Sequence, residues 1–285
     1  MEEIRNKEGL TEKEFLAQYN PDEFKHPSCT VDIILMTVIN KKLNVLLVNR
    51  KDHPWIKKWA IPGGFVNVDE DLDTTVLREL KEETNVSTAN YFKQLYTFGK
   101  VDRDPRTRVI TTAYLSLIPE GNIKDMHAGD DADDAKWFEI TKNIKSVDEK
   151  QRVSEICLYN KELDLKISYE IVDIVKDNYI QKNSKCTSEN ELAADHIKSL
   201  NMAMDELHMN VATSGLLFNL LPEKFTLKQV QETYEIVSGK KVDTRNFRRE
   251  ITKMLIKTDE TVEGYNKPST LYRFNPMFEY MKEDL

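Results

Sequence analysis

Several absences bound what this chain of 285 residues is. Only three cysteines occur, Cys29, Cys157 and Cys186, widely spaced and without a CxxC pair. That argues against a disulfide framework or a cysteine zinc site, and points to a reducing cytoplasm. No apolar stretch reaches the roughly 18 residues that a membrane-spanning helix needs. The longest aliphatic run, residues 33–39, is broken by Thr37, so no membrane partner is expected. The opening MEEIRNKEGLTEKEF is charged throughout and lacks the apolar segment of a secretory signal. No internal repeat or low-complexity segment is present. Positive charge is also short: 41 Lys and Arg against 49 Asp and Glu leave a net charge of −8. Such a chain does not coat nucleic acid non-specifically.

What is present suffices for two packed domains, with 40% hydrophobic and 32% charged residues. Charge is unevenly spread. Residues 223–257 hold nine Lys and Arg against five Asp and Glu, marking the C-terminal part as a separate unit. Residues 1–27 read as a polar extension with one short helix, opened by Thr11 with Glu14 three positions on. In residues 28–180, TVDIILMTVI and LNVLLVNR read as two strands joined by a polar turn. A breaker-rich loop, WAIPGGF, follows, then an amphipathic helix over residues 72–86. Next come NYFKQLYTFGKV and RVITTAYLSLI, a short strand KWFEI, and a hairpin running into a polar linker, DNYIQKNSKCTSEN. Mixed strands around one helix predict an α/β (α+β) sandwich. In residues 190–285 the helical period takes over, with ELAADHIKSLNMAMDELHM, VATSGLLFNLL, TLKQVQETYEIVSG and DTRNFRREITKML, followed by the strand LYRF. That order is the outline of a winged helix-turn-helix.

The helix of residues 72–86 carries the most chemistry. With Leu72 at zero and about 100° per residue, Val76 and Leu80 fall at about 40° and 80°, and Glu79, Glu82 and Glu83 at about 340°, 280° and 20°. The carboxylates therefore flank the apolar stripe instead of lying opposite it. Acids at the rim of a buried face repel one another, and a hard divalent cation relieves that repulsion through oxygen ligands. An ordinary charged helix with Arg78 paired to Glu82 is the plainer alternative for such a segment. Gly63, Gly64 and Glu70 upstream weigh against it.

The segment from Gly64 resembles the Nudix box, G-x5-E-x7-R-E-U-x-E-E-x-G-U, with U a bulky aliphatic residue. Gly64, Glu70, Arg78, Glu79, Leu80, Glu82, Glu83 and Val86 match, and Asn85 replaces the glycine. Asparagine tolerates the left-handed conformation, so Asn85 is expected to cap the helix. The resemblance implies a Nudix sandwich with a mixed sheet and a hydrolase that cleaves a nucleoside diphosphate linked to another group. It implies Glu79 and Glu83 as ligands of Mg²⁺ or Mn²⁺, with Glu82 joining and the backbone of Gly63 contributing. Arg78 and Glu70 would form the supporting salt bridge.

Arg103, Arg106 and Arg108, on the loop VDRDPRTRV, and Arg50, at the end of a strand, are the expected phosphate-binding residues, with Gly64 beside them. Each is equally readable as a solubilising charge. Asp130, Asp131, Asp133 and Asp134 are candidates for a further acid. Trp55, Trp59, Tyr96 and Phe98 could stack on a base, although Trp59 reads better as core. HPWIKKWAIPGGFV before the box and TFGKVDRDPRTRVI after it look like ADP-ribose pyrophosphatases and related Nudix transcriptional regulators, a group with a C-terminal winged helix and usually homodimeric. In the third C-terminal helix Arg245, Asn246, Arg248, Arg249 and Lys253 are candidates to contact DNA, with Phe247 and Ile251 inward and Lys267 and Arg273 on the wing. The same module also serves for subunit assembly. Hydrolysis of ADP-ribose or a related nucleotide sugar ranks first, because all the box carboxylates are retained. The alternative is a ligand-sensing transcriptional regulator.

Overall fold

A computed structural model describes residues 3–84, 91–125, 135–263 and 267–278. Helix α1, Glu12–Gln18, opens with the expected capping box between Thr11 and Glu14. The strands of the first domain are β1 (Ser28–Ile39), β2 (Lys42–Asn49), β3 (Trp59–Ala60), β4 (Gly63–Phe65), β5 (Phe92–Phe98), β6 (Val109–Leu117), β7 (Ala135–Val147), β8 (Gln151–Asn160), β9 (Leu165–Lys176) and β10 (Tyr179–Cys186), with helix α2 (Leu72–Thr84) between β4 and β5. They form one mixed sheet in the order β10-β9-β8-β7-β2-β1-β6-β5, with β3 beside β2 and β4 beside β1. Strands β1 and β6 run parallel; the other pairs are antiparallel.

Strand β1 explains the layering. A strand covered on both faces reads as a continuous apolar run, and one that alternates has a wet face. Val31, Ile33 and Leu35 pack with Val76 and Leu80 of α2 on one side. Ile34 and Met36 belong to a second core on the other side. There the cover is helix α3 (His196–Asn210), through Ile197, Leu200, Ala203, Met204 and Leu207. The same apolar cluster continues into Phe218, Phe225, Val230, Ile251 and Met254. These belong to the C-terminal domain, made of a 3₁₀ turn (Gly215–Leu220), α4 (Leu227–Ser238), α5 (Thr244–Ile251), β11 (Leu255–Val262) and β12 (Ser269–Phe274). Thr226 and Gln229 form a capping box on α4, and Gly239 closes it at φ 67°. The Asp243 side chain caps α5.

Three elements differ from the expectation. The polar linker is instead edge strand β10, paired antiparallel with β9 from Tyr179↔Lys176 to Cys186↔Tyr169. Its side chains are exposed except for half-buried Cys186, so no apolar alternation betrays it. Strand β7 runs 13 residues, well past the short KWFEI, because its second half is an exposed ribbon paired with β8. The segment VATSGLLFNLL forms the 3₁₀ turn, started by Ser214 accepting from the Leu216 N–H. Asn85 and Val86, and the Asp130–Asp134 candidates, lie outside the described residues.

A buried charge cluster fastens α3 to the sheet extension. Lys142, with a side chain 1% exposed, donates to Asn201 at 2.6 Å and to Asp205 at 2.5 Å. Arg152 and Lys182 also reach Asp205. Burial opposes the charge on Asp205, but Lys142 and Lys182 outweigh it and hold the carboxyl down at about 2. Removing one member of a buried ion pair strands the other, at about 3–5 kcal/mol. Asp205→Asn is therefore expected to lower the stability of the whole chain by about that amount in urea unfolding followed by tryptophan fluorescence. A loss near zero would mean that the cluster does not hold α3 to the sheet.

Candidate functional site

Arg78 organises the acids of α2. Its Nε donates to Glu70 at 2.8 Å, and its Nη2 to Glu70 and to the Phe65 carbonyl, both at 3.0 Å. Its Nη1 donates to Glu79 at 2.7 Å and to Glu82 at 3.0 Å. Glu70, which also accepts from the Thr75 hydroxyl, is held down at about 2 by Arg78. Glu82 stays on the outside, with a side chain 59% exposed.

Glu79 and Glu83 face inward, as the helical wheel places them. Glu79 is buried, and burial raises its carboxyl while Arg78 opposes. Glu83 accepts the Gly63 N–H at 3.1 Å. Burial, and then the charge of Glu79, push Glu83 up to about 8. A Cβ on Gly64 would come within 2.0 Å of Glu79 Oε1, and one on Gly63 within 2.1 Å of the Val31 carbonyl. Gly63 is thus required by the backbone of β1, and Gly64 leaves the space that the Glu79 carboxylate occupies.

Two inward carboxylates that resist joint ionisation fit a hard cation. Among the described residues no group of three His, Cys, Asp or Glu side chains encloses one. A small divalent ion is ordinarily held by one or two carboxylates, with water and ligand phosphate completing the shell. Glu79 and Glu83 match that pattern, with Glu82 outside it.

Beside these acids lies a cavity of about 240 Å³. Arg50, Arg103 and Arg106 line it, as do Gly63 and Gly64, while Arg108 does not; Arg108 instead donates to the Lys100 carbonyl at 3.0 Å. Arg50 donates to the Pro54 carbonyl and lies 6.0 Å from the centre of the Trp55 ring. Arg106 is paired with Asp104 and lies 5.6 Å from the Phe65 ring. Trp59 is buried against Phe138, whereas Tyr96 and Phe98 lie beside a different cleft. Sequence reasoning missed Asp32 on β1 and Ala193, Ala194 and His196, which also line the cavity. Burial raises the Asp32 carboxyl and lowers His196, whose Nδ1 accepts the Ile61 N–H at 2.9 Å. A lone histidine at a helix start carries no signal in one sequence. Only the topology brings it to the glycine loop.

In the C-terminal domain Arg245, Asn246, Arg249 and Lys253 are exposed on or beside α5. Phe247 packs on Tyr234 with ring centres 5.0 Å apart, and Ile251 is buried. Arg248 differs from the expectation. It is half-buried and its Nε lacks a partner, because the helix turns that position toward the domain. Arg249 and Lys253 both pair with Glu250. On the wing, Lys267 and Arg273 are exposed.

The NUDIX domain family matches residues 30–155, and the NrtR DNA-binding winged helix domain matches residues 217–274. The ADPR responsive transcriptional repressor NtrR of Acinetobacter baylyi is 27% identical over 93% of this chain and 88% of its own length. The ADP-ribose pyrophosphatase of Methanocaldococcus jannaschii is 36% identical over 41% of this chain and 64% of its own. The crystal structure of Shewanella oneidensis NrtR complexed with a 27mer DNA superposes with a TM-score of 0.62 at 28% identity, covering 88% of this chain and 95% of that one. Helix α3 lies between the two family matches.

The raised Glu83 carboxyl gives a stability signature. Because folding favours its neutral form, the contribution is complete below the ordinary value of 4.5 and is lost as pH rises through about 8. Glu83→Gln stays neutral throughout. Without metal, its melting temperature should exceed that of the natural chain by a few degrees at pH 8, and the two should converge near pH 5. Added Mg²⁺ should stabilise the natural chain alone. A variant that is less stable at pH 8 without metal would contradict the assignment.

Proposed function

Because the chain joins a Nudix domain to an NrtR-type winged-helix domain, we propose that it is an effector-responsive DNA-binding regulator. In this reading the Nudix domain binds ADP-ribose or a closely related nucleotide sugar, and α5 enters the major groove of DNA. The observation that carries it is the state of α5. Phe247 and Ile251 dock the helix inward while Arg245, Asn246 and Arg249 face solvent, and their side-chain types read base edges and phosphates. Among the described residues no ion pair ties these arginines to acids of the Nudix domain; Arg249 meets Glu250 of its own helix. Such exposed pairs are worth little, so Arg249 and Lys253 can exchange Glu250 for phosphate. The DNA-bound relative of similar architecture and the ADPR responsive repressor similar along most of the chain support the same reading.

For the effector, Arg50, Arg103 and Arg106 converge on one cavity beside the box carboxylates. Arginine suits a diphosphate, and Trp55 and Phe65 offer flat apolar surface to the rest of a nucleotide sugar. A homodimer belongs to the reading, since two copies of α5 about 34 Å apart reach successive major grooves. In this reading the chain acts in the cytoplasm. No described helix is long and apolar enough to cross a membrane.

Hydrolysis is the second reading, favoured by the retention of Glu79 and Glu83 against the glycines that line the cavity. Bound Mg²⁺ would neutralise charge on the phosphoryl oxygens and acidify a water. Glu79 and Glu83 would hold it, Arg78 would keep Glu79 aimed, and the cavity arginines would position the diphosphate.

Duplexes selected from a random library by the full chain provide the test. Arg245→Ala with Arg249→Ala should weaken binding at least tenfold, of the order of 1–3 kcal/mol per base contact. Binding by the natural chain should fall steeply with salt, and ADP-ribose should shift it. If no duplex is enriched, the regulator reading fails. On ADP-ribose with Mg²⁺, any turnover by the natural chain should drop by orders of magnitude in Glu83→Gln. Equal turnover in the two would remove the box from the chemistry.

A further inference from the structure

Residues 193–196 serve two structures at once. They form one wall of the arginine-lined cavity, through Ala193, Ala194 and His196, and they lead directly into α3. Their conformation is not a relaxed one. Ala194 sits at φ 47°, in the left-handed region that disfavours any residue with a Cβ. Asp195 occupies the N-cap position of α3, at φ −104° and ψ 26°, yet its carboxylate makes no capping bond. It instead accepts from Arg103 Nη2 at 2.9 Å, with Lys198 at 3.5 Å.

Arg103 is the other half of the contact. Its side chain is 7% exposed, it lines the cavity, and among the described residues its Nε has no partner. Asp32 Oδ2, 3.7 Å from Arg103, is also buried without a hydrogen bond. Buried polar atoms are normally satisfied, so this corner of the cavity is prepared for a polar group. At about 240 Å³, the cavity is also smaller than the roughly 300–1,000 Å³ of ordinary small-molecule sites. A whole nucleotide sugar therefore extends beyond it or displaces part of its lining. Strands β1 and β4 are fixed in the sheet; of the loop segments that line the cavity, residues 193–196 are the ones that lead directly into α3.

We propose that a diphosphate entering this cavity takes the Arg103 guanidinium from Asp195, and that the release of Asp195 rearranges the first turn of α3 and so carries occupancy to the winged helix. The exchange is chemically even-handed. Asp195 holds Arg103 by one bond, whereas a phosphate offers two oxygens to the planar fork. The freed aspartate has its own alternative partner in the first-turn N–H groups of α3. Downstream, α3 carries Leu207, whose apolar cluster continues to Ile251 of α5. A ligand shifts such an equilibrium only through contacts that differ between its two states, and here that contact is Arg103.

This inference rests on the effector reading, and the test separates the two. ADP-ribose is titrated calorimetrically into the full chain and its Asp195→Asn variant, in EDTA and again with Mg²⁺, while hydrogen exchange is followed over residues 193–202. Removing the competitor should tighten binding about fivefold or more, at the low end of ordinary site coupling. Ligand-free Asp195→Asn should already show the exchange that the natural chain reaches only with ligand. Asp195→Ser, which keeps a capping oxygen, should behave alike and guards against a folding defect. Weaker binding by the folded variants would make Asp195 a support for Arg103 and overturn the exchange. Equal affinity with unchanged hydrogen exchange would overturn it too, leaving the effector reading intact. Absence of binding by all three proteins would overturn both.

Discussion

The burial of β1 on both faces is the constraint from which the rest of the molecule follows. Its α2 face, Val31, Ile33 and Leu35, sets the depth of the carboxylate helix. Its opposite face, Ile34 and Met36, is covered by an apolar cluster that runs through α3 to the winged helix. Its edge pairs Asp32 with Gly63 and Val31 with Gly64, which brings the glycine turn against Glu79 and Glu83. The carboxylate helix and the C-terminal domain are thus built on two sides of one strand. Burial of apolar surface is the dominant favourable term in folding, so a core shared in this way ties the two domains together.

On the α2 side the energetics run against the local charges. Glu79 and Glu83 are held where ionisation is costly, and Arg78 neutralises only the first of them while also restraining Glu70 and Glu82. The arrangement suits a cation or an anionic ligand carrying one, and it costs stability until one arrives. On the α3 side the segment before the helix keeps a left-handed alanine and an uncapped N-terminus. Local strain of this kind persists where surrounding structure over-determines it. Here the Arg103–Asp195 pair and the Ile61–His196 hydrogen bond do so.

Much of this was legible in the sequence, for identifiable reasons. The continuous apolar run of β1, the capping box at Thr11 and the carboxylate stripe of α2 are all local patterns. A helical wheel or a turn rule reads them directly. Strand β10 was not legible because an exposed edge strand has no apolar period. The half-buried Arg248 was not legible because the face α5 presents is set by Tyr234 and the domain beneath it. The largest gap was the pocket wall. Asp32 is distant in sequence from Asp195 and His196 and shares no spacing signal with them, and only the pairing of β1 with β4 and the docking of α3 unite them. The order of the functional readings changed as well. Intact carboxylates favoured an enzyme, whereas the similarity along the chain, with the winged helix included, favours a regulator.

The core shared by β1 and α3 joins the arginine-lined cavity and the winged helix into one cooperative body. Scanning calorimetry of the full chain with increasing ADP-ribose tests it most directly. A single unfolding transition that moves upward as a whole is expected, since a ligand bound to the native state stabilises everything that unfolds with its site. Two transitions, of which only one responds to the ligand, would contradict it.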